Sequence, residues 1–186
     1  MSKFIVSISR EYGSGGRIIG EQVAKALGAA FYDRELISLA AKESGFSEEF
    51  IAEEQESRPS FFNVVGIVPP QEQIFIAQSK IIKELAEKES CVIIGRCADY
   101  VLRDNPNLIS VFIHAPIESR IKAYGGNTED FVRKLDKMRA HYYSYFTQRK
   151  WGNSHNYNIC VDSRIGVDAT AKVVKDYVEC RLALLK

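Results

Sequence analysis

Long apolar runs are missing from this chain of 186 residues. A helix that crosses a membrane needs a run of roughly 18 or more apolar residues, and no stretch approaches that length. The N-terminus also lacks the charged-then-apolar pattern of a secretory signal. We therefore expect no membrane segment and a cytoplasmic protein.

An excess of charge of either sign is missing as well. Lys and Arg number 25 and Asp and Glu 24, which leaves a net charge of +1. General binders of nucleic-acid polymers or of membrane surfaces carry a marked basic excess. The composition predicts neither partner, and it leaves the oligomeric state open.

Cysteine and histidine are scarce, with four and three residues, and show no paired metal spacing. Cys91 lies within an apolar run, as is typical of a small core residue. We predict no protein-held metal. No Ser-His-Asp or Cys-His arrangement can be argued from spacing either.

What is present is an apolar run, a glycine turn and a helical pattern, in that order, near the start of the chain. Phe4 to Ile8 predicts a buried strand, and the apolar spacing from residue 17 to residue 28 predicts a helix. The turn between them contains Gly13, Ser14, Gly15 and Gly16. Backbone N–H groups in such a turn, at the start of a helix, bind anions, and phosphate is the usual one.

This loop lacks the lysine of an ordinary nucleotide-splitting loop. In the pattern G-x-x-x-x-G-K-[ST], the lysine neutralises phosphate charge and the hydroxyl holds magnesium. With Gly15 as the second glycine, Arg10 stands at the first, Gly16 at the lysine and Arg17 at the hydroxyl. Arginine also binds phosphate, by a bidentate fork, so Arg17 or Arg10 is expected to restore the charge. The alternative is a tight turn with solvated arginines.

Apolar strands alternate with helical patterns along the whole chain. That order predicts an α/β fold with a parallel sheet covered on both faces and binding sites at the carboxyl ends of the strands. Four polar residues fall at those ends: Arg10, Asp33, Arg96 and Asp99. We expect them to converge on one crevice.

A long helix is predicted from about residue 127 to about residue 151. Asp136 and Arg139 lie one turn apart on it and can pair. Phosphoryl transfer consists largely of positioning and charge neutralisation, so an arginine above a phosphate cradle suits it. A solvated helix face is the alternative, which we prefer for Lys134 and Lys137. The apolar stripe of this helix comprises Phe131, Leu135, Met138, Tyr142 and Tyr145. Its aromatic residues Tyr142, Tyr143, Tyr145 and Phe146 could stack a base, although such a stripe is more often part of a core.

Several segments resemble the cytidylate kinase-like family. They are residues 8–20, 31–36, 91–99 and 151–158, so the resemblance covers nearly the whole chain. It implies a nucleoside monophosphate kinase fold. That fold is a P-loop three-layer sandwich, with a five-stranded parallel sheet, helices on both faces and a helical lid.

The resemblance also implies a domain organisation and residue roles. The chain is expected to form one domain over residues 1–186, with a substrate-binding insertion at about 44–74 and a lid at about 126–156. Asp33 falls near the place of the nucleoside monophosphate. Arg96 falls on the arginine of a Gly-Arg-Asp motif that contacts substrate phosphate.

Other matches to this family are partial or fall in the lid. Cys97 replaces the aspartate of the Gly-Arg-Asp motif, and Asp99 is the nearby candidate to substitute for it. Asp136 and Arg139 resemble an Asp-x-x-Arg element whose arginine reaches the transferring phosphates.

Together these features predict an ATP- and Mg²⁺-dependent phosphotransferase that acts on CMP or a similar small acceptor. The expected catalytic residues are Arg17, Asp136 and Arg139. The expected phosphate-binding residues are Arg10, Gly13, Ser14, Gly15, Gly16 and Arg17, and the expected acceptor-binding residues are Asp33, Arg96 and Asp99. ATP oxygens and water would hold the magnesium.

Two alternatives stay open. A kinase for another small metabolite is favoured by Cys97, which replaces a substrate-contacting aspartate. A non-catalytic nucleotide or phosphate sensor is favoured by the missing lysine.

Overall fold

A five-stranded parallel sheet forms the centre of the molecule. The structure is a computed structural model that describes residues 3–33, 35–51, 68–123 and 127–184. The strands are β1 (Ile5–Arg10), β2 (Ala30–Tyr32), β3 (Cys91–Ile94), β4 (Leu108–His114) and β5 (Ile159–Asp162). Their order is β2-β3-β1-β4-β5, and each neighbouring pair is parallel. The predicted α/β fold class is confirmed.

Helices connect the strands. They are α1 (Gly16–Leu27), α2 (Glu35–Ser44), α3 (Pro70–Lys88), α4 (Ala98–Val101), α5 (Ile117–Ala123), α6 (Glu129–Thr147) and α7 (Val167–Leu184). Two 3₁₀ turns, Ser154–Asn156 and Ser163–Ile165, flank β5. Within the described ranges, none of these helices combines the length and the apolar character that a bilayer span requires.

The buried strands send alternate side chains to two separate core layers. Val6 and Ile8 of β1 pack in the layer that includes α1 and α7. Ile5 of the same strand packs in the opposite layer, with residues of α2 and α3. Because both faces of the sheet are covered, β3 is apolar throughout, and the serines of β1, Ser7 and Ser9, are buried.

Local signals set several of the helix ends. Gly28 ends α1 in the left-handed region, with φ 63°, and its N–H bonds back to the last turn. The Thr128 side chain accepts a hydrogen bond from the backbone N–H of Phe131 and so caps the start of α6. Both signals were visible in the sequence.

The long helix α6 differs from its prediction in two respects. It ends at Thr147, before the predicted Trp151, because Gln148 adopts a left-handed conformation with φ 56° and its N–H bonds to the Ser144 carbonyl. The aromatic residues expected in the core also differ, because Tyr143 is buried whereas Tyr142, Tyr145 and Phe146 are only partly buried. The buried residues of α6 are Val132, Tyr143 and Thr147, and Phe131 is 43% exposed.

The predicted insertion and three short helical elements complete the comparison with the sequence. Residues 52–67, most of the insertion predicted at about 44–74, lie outside the described residues. Helix α4 and the two 3₁₀ turns were not predicted. Elements of three or four residues are too short to show a periodic pattern.

Candidate active site

A cleft of about 950 Å³ opens at the carboxyl ends of the strands. The central strand β1 has β3 on one side and β4 on the other. The strands that follow β1 in the chain therefore lie on both of its sides. Open α/β sheets bind ligands at such a switch point. Residues from the loops after β1, β2 and β3 line the cleft, as do Leu135, Met138 and Tyr142 of α6. Part of the apolar stripe of α6 therefore forms a wall of the cleft.

The glycine loop lies at the floor of this cleft. Gly13 and Gly15 have φ values of 81° and 76°, which side chains rarely adopt. A Cβ atom on Gly13 would lie 2.9 Å from both the Cβ and the carbonyl oxygen of Arg120, so only glycine fits there. Gly13, Gly15 and Gly16 line the cleft. Ser14 is buried, and its hydroxyl donates to the Glu11 carbonyl at 2.9 Å within the loop.

A network of charged side chains fixes this loop to α5 and α6. Arg120 is buried, donates to the Tyr12 carbonyl at 3.0 Å and pairs with Asp136. A carboxylate oxygen of Asp136 accepts from the backbone N–H of Tyr12 at 2.7 Å. Glu11 lies 3.4 Å from Arg120 and accepts from the backbone N–H of Ala115. The loop is therefore held by contacts with α5, with α6 and with Ala115 after β4.

This network corrects one predicted contact. Asp136 was expected to pair with Arg139, one turn along α6, and it pairs with Arg120 of α5 instead. The only sequence signal for Arg120 was a charged residue on the helix after β4, since its partners are set by tertiary packing.

Arg139 lies over the loop as expected, but through other contacts. Its Nη1 donates to the Arg10 carbonyl at 3.3 Å, and its guanidinium carbon lies 5.5 Å from the centre of the Tyr12 ring. Burial lowers the pKa of Arg139, and the positive charge of Arg96 lowers that pKa further, while Asp136 opposes the shift. Arg139 thus belongs to a crowded group of cations.

Arg10 is at the centre of that group. Burial lowers the pKa of Arg10 to about 9, with additional effects from the positive charges of Arg139 and Arg96, and Asp33 opposes the shift. Arg10 stays protonated at neutral pH, so three cationic side chains share one partly buried space. Such a concentration of charge suits a polyanionic ligand.

Asp33 adds a single buried carboxylate to the cleft. Arg17 donates to its Oδ2 at 2.8 Å, and the nearest nitrogen of Arg10 lies 4.0 Å from its Oδ1. Arg17 is at the outer edge, with 52% of its side chain exposed and Glu21 at 3.8 Å. The structure therefore brings together three of the residues predicted at the strand ends and the glycine turn.

The loop after β3 has an unusual backbone. Gly95, Arg96 and Cys97 have φ values of 70°, 57° and 54° in succession. For residues with a side chain, each such conformation costs on the order of 1–3 kcal/mol, and such conformations are concentrated at functional sites. Arg96 and Cys97 both line the cleft. Burial raises the pKa of the Cys97 thiol well above its ordinary value, which keeps it neutral.

Asp99 is placed apart from these residues. It is buried, it does not line the cleft, and its carboxylate accepts from the Tyr143 hydroxyl at 2.7 Å. Burial raises the pKa of Asp99, and the hydrogen bond from Tyr143 opposes that shift. The sequence had suggested that Asp99 would lie together with Asp33 and Arg96, and the structure does not bring them together.

The residues present fit a nucleotide phosphate better than a protein-held metal. The donors around the glycine turn are backbone amides and the guanidinium groups of Arg10, Arg17, Arg96 and Arg139. Within the described part of the chain, no group of three or more His, Cys, Asp or Glu side chains is arranged to hold a metal ion.

The sequence of this chain also matches a known protein family. The model of the cytidylate kinase-like family matches residues 5–165. This chain belongs to that family. The resemblance stated from the sequence is thereby confirmed, over a range that contains every residue of the cleft discussed above.

Solved structures extend the comparison for this family member. An uncharacterized protein from Eubacterium ventriosum ATCC 27560 is 30% identical, with a TM-score of 0.70, over 95% of this chain and 99% of the other. Shikimate kinase from Acinetobacter baumannii is 15% identical, with a TM-score of 0.58, over 97% and 96%. A gluconokinase from Sinorhizobium meliloti 1021 is 18% identical, with a TM-score of 0.57, over 98% and 93%. No curated protein matches by sequence.

The two kinase likenesses establish a shared P-loop kinase fold. Together with the family, they support a small-molecule kinase.

Proposed function

We propose that this protein is an ATP-dependent phosphotransferase that phosphorylates CMP or a similarly small acceptor. One observation carries the proposal. Arg10, Arg96 and Arg139 are crowded together beside Asp33, above a glycine loop that only small residues can form. A binding site for one phosphate needs fewer cations, whereas a site that brings two anionic substrates together needs several.

The donor side would be the glycine loop. Backbone amides of the turn from Gly13 to Gly16 and the guanidinium of Arg17 would hold the donor phosphates, and Ser14 would support the turn through its bond to Glu11. ATP would supply the phosphoryl group, with Mg²⁺ held by its oxygens and water because position 17 has no hydroxyl. The partial exposure of Arg17 supports a role for it at the mouth of the cleft.

The acceptor side would be formed by the ends of β2 and β3. Asp33 would orient a polar group of the acceptor, and Arg96 would hold an anionic one. Met138 and Tyr142 of α6 give this side an apolar wall that suits a flat ring. Asp99 would act indirectly, through the hydrogen bond that its carboxylate accepts from the Tyr143 hydroxyl.

Arg139 would neutralise charge on the transferring phosphoryl group, since it lies partly buried beside the Arg10 carbonyl and the loop. We propose Asp136 as a positioning residue because it binds the loop backbone and Arg120. This changes the catalytic role that the sequence suggested for Asp136.

A kinase for another small metabolite is the second candidate. Cys97 stands where cytidylate kinases have an aspartate that contacts the substrate. The fold is also shared with a shikimate kinase and a gluconokinase, whose names describe acceptors other than nucleotides. A non-catalytic phosphate sensor is the third candidate, on the evidence of the missing lysine alone.

The test is a coupled assay of ADP release with ATP and Mg²⁺, run across the nucleoside monophosphates and a panel of hydroxylated metabolites. Turnover that is fastest with CMP supports the first candidate, and turnover only with a metabolite supports the second. ATP binding by calorimetry without transfer to any acceptor would contradict both and favour the sensor.

A further inference from the structure

The side chain of Arg10 occupies the space beside Gly16. A Cβ atom on Gly16 would lie 2.6 Å from the Cβ of Arg10 and 2.9 Å from its Cγ. These distances are too short for two carbon atoms, and neither Arg10 atom is a flexible chain end. Residue 16 can therefore carry no side chain while Arg10 keeps this conformation.

The far end of the same side chain reaches the loop after β3. A Cβ on Gly95 would lie 2.2 Å from Nη1 of Arg10. The Arg10 side chain thus runs from Gly16, at the start of α1, to Gly95, at the end of β3. Two glycines make room for one arginine.

Gly16 stands at the lysine position of the P-loop pattern, and Arg10 stands at its first glycine. In the ordinary pattern the first position is bare and the lysine position carries the cation. In this chain the first position carries the cation and the lysine position is bare. The steric contact between the two positions makes these arrangements mutually exclusive.

Arg10 is better placed than Arg17 for this role. The Arg10 side chain is 22% exposed and lies 4.0 Å from its nearest carboxylate, that of Asp33. Arg17 is 52% exposed and is already hydrogen-bonded to Asp33 at 2.8 Å. A cation that is bound closely to a carboxylate has less charge to offer to phosphate.

We propose that Arg10 supplies, from the end of β1, the cation that a lysine supplies from the start of the helix in ordinary P-loops. Gly16 is then required because it leaves room for the base of the Arg10 side chain, and Gly95 leaves room for the guanidinium in this conformation. The guanidinium stays charged and can bind two phosphate oxygens at once. This inference rests on the proposed donor site, and it decides between the two arginines that the sequence left open.

The experiment moves the cation from one position to the other. Calorimetry measures the binding of inorganic tripolyphosphate to the wild type, to Arg10→Met and to the double variant Arg10→Gly/Gly16→Lys. Gly16→Lys alone and Arg10→Lys complete the set. Lys172→Met removes one exposed cation on α7, away from the cleft, and is the matched control. Circular dichroism and thermal unfolding check the fold of each variant.

We expect Arg10→Met to weaken tripolyphosphate binding by about 10- to 100-fold, as for the loss of a charge-assisted hydrogen bond. The double variant should recover most of that loss, and Gly16→Lys alone should gain nothing because Arg10 blocks its side chain. Lys172→Met should bind as the wild type does.

Wild-type affinity in Arg10→Met would overturn the inference, and so would a folded double variant that binds no better than Arg10→Met. If the double variant does not fold, Arg10→Lys decides, because it keeps the charge and must bind better than Arg10→Met. If the variants behave as expected but no acceptor is phosphorylated, the proposed function fails and the inference stands. If an acceptor is phosphorylated equally well by Arg10→Met, the inference alone fails.

Discussion

Asp136 of the long helix α6 accepts a hydrogen bond at 2.7 Å from the backbone N–H of Tyr12, in the loop after β1. The two residues are 124 positions apart in the sequence. The same carboxylate pairs with the buried Arg120. One side chain thereby joins the phosphate loop to two helices.

Removal of this carboxylate should destabilise the protein strongly. In Asp136→Ala, the buried Arg120 keeps only the longer ion pair with Glu11, at 3.4 Å, and the N–H of Tyr12 loses its acceptor. We expect a loss of about 1–3 kcal/mol in the free energy of unfolding, measured with urea. Asp136→Asn keeps an acceptor and should lose less.

The control for this prediction is Asp130→Asn, an exposed acid in the first turn of the same helix. It should cost at most about 1 kcal/mol, through the helix dipole. Equal stabilities of Asp136→Ala and Asp130→Asn would show that the network is not structural.

Close packing of α1 against the sheet should make Gly20 intolerant of a side chain. A Cβ there would lie 2.5 Å from Cδ1 of Ile94 and 3.2 Å from Cδ1 of Ile8. Overpacking costs about 1–3 kcal/mol, which exceeds the roughly 1 kcal/mol that alanine gains in helix propensity. Gly20→Ala should therefore lower the urea midpoint. The exposed Lys25→Ala in the same helix should change stability by less than about 0.5 kcal/mol, and a stabilised Gly20→Ala would disprove the packing argument.

If the proposed acceptor site is correct, Asp33→Asn should act mainly on the acceptor. We expect kcat/KM for the acceptor to fall by about 10- to 100-fold, from the loss of one charged hydrogen-bonding group. Glu21→Gln is the matched control because Glu21 is the other carboxylate near Arg17, at 3.8 Å and outside the cleft. It should leave kcat/KM unchanged. An equal effect of both variants would indicate that Asp33 acts only by holding Arg17.

Asp99 should give the folding free energy a pH dependence of known sign. Because burial raises its pKa in the folded state, the folded protein binds a proton there more readily than the unfolded chain does. Stability from this group is full below the unfolded pKa and is lost as pH rises through the raised folded pKa. Asp99→Asn should therefore gain stability over the wild type as pH rises from about 4 to about 8.

The hydrogen bond from Tyr143 provides a check on this sign. That bond opposes the upward shift of the Asp99 pKa, so Tyr143→Phe should raise the pKa further and steepen the loss of stability with pH. Urea unfolding across the same pH range measures both variants. A pH profile that is identical in wild type and Asp99→Asn would mean that the carboxylate has the same pKa in both states.

The fold followed closely from local patterns in the sequence. The apolar runs at β1 and β3, the glycine that ends α1 and the cap at Thr128 were recognisable because each depends on residues close in the chain. The end of α6 was missed because Gln148, in a left-handed conformation, carries no glycine signal. The boundaries predicted for the lid and the insertion stay predictions.

The sequence by itself determined the parallel sheet, the glycine turn and the convergence of Arg10, Asp33 and Arg96 at the strand ends, because period and strand direction follow from the order of residues. Tertiary structure alone decided which partner Asp136 takes and which wall of the cleft α6 forms. It also decided that Arg10, packed against Gly16, has the space that a lysine would need. Those outcomes depend on which side chains meet when separate helices, strands and loops pack together. No local sequence pattern records such contacts.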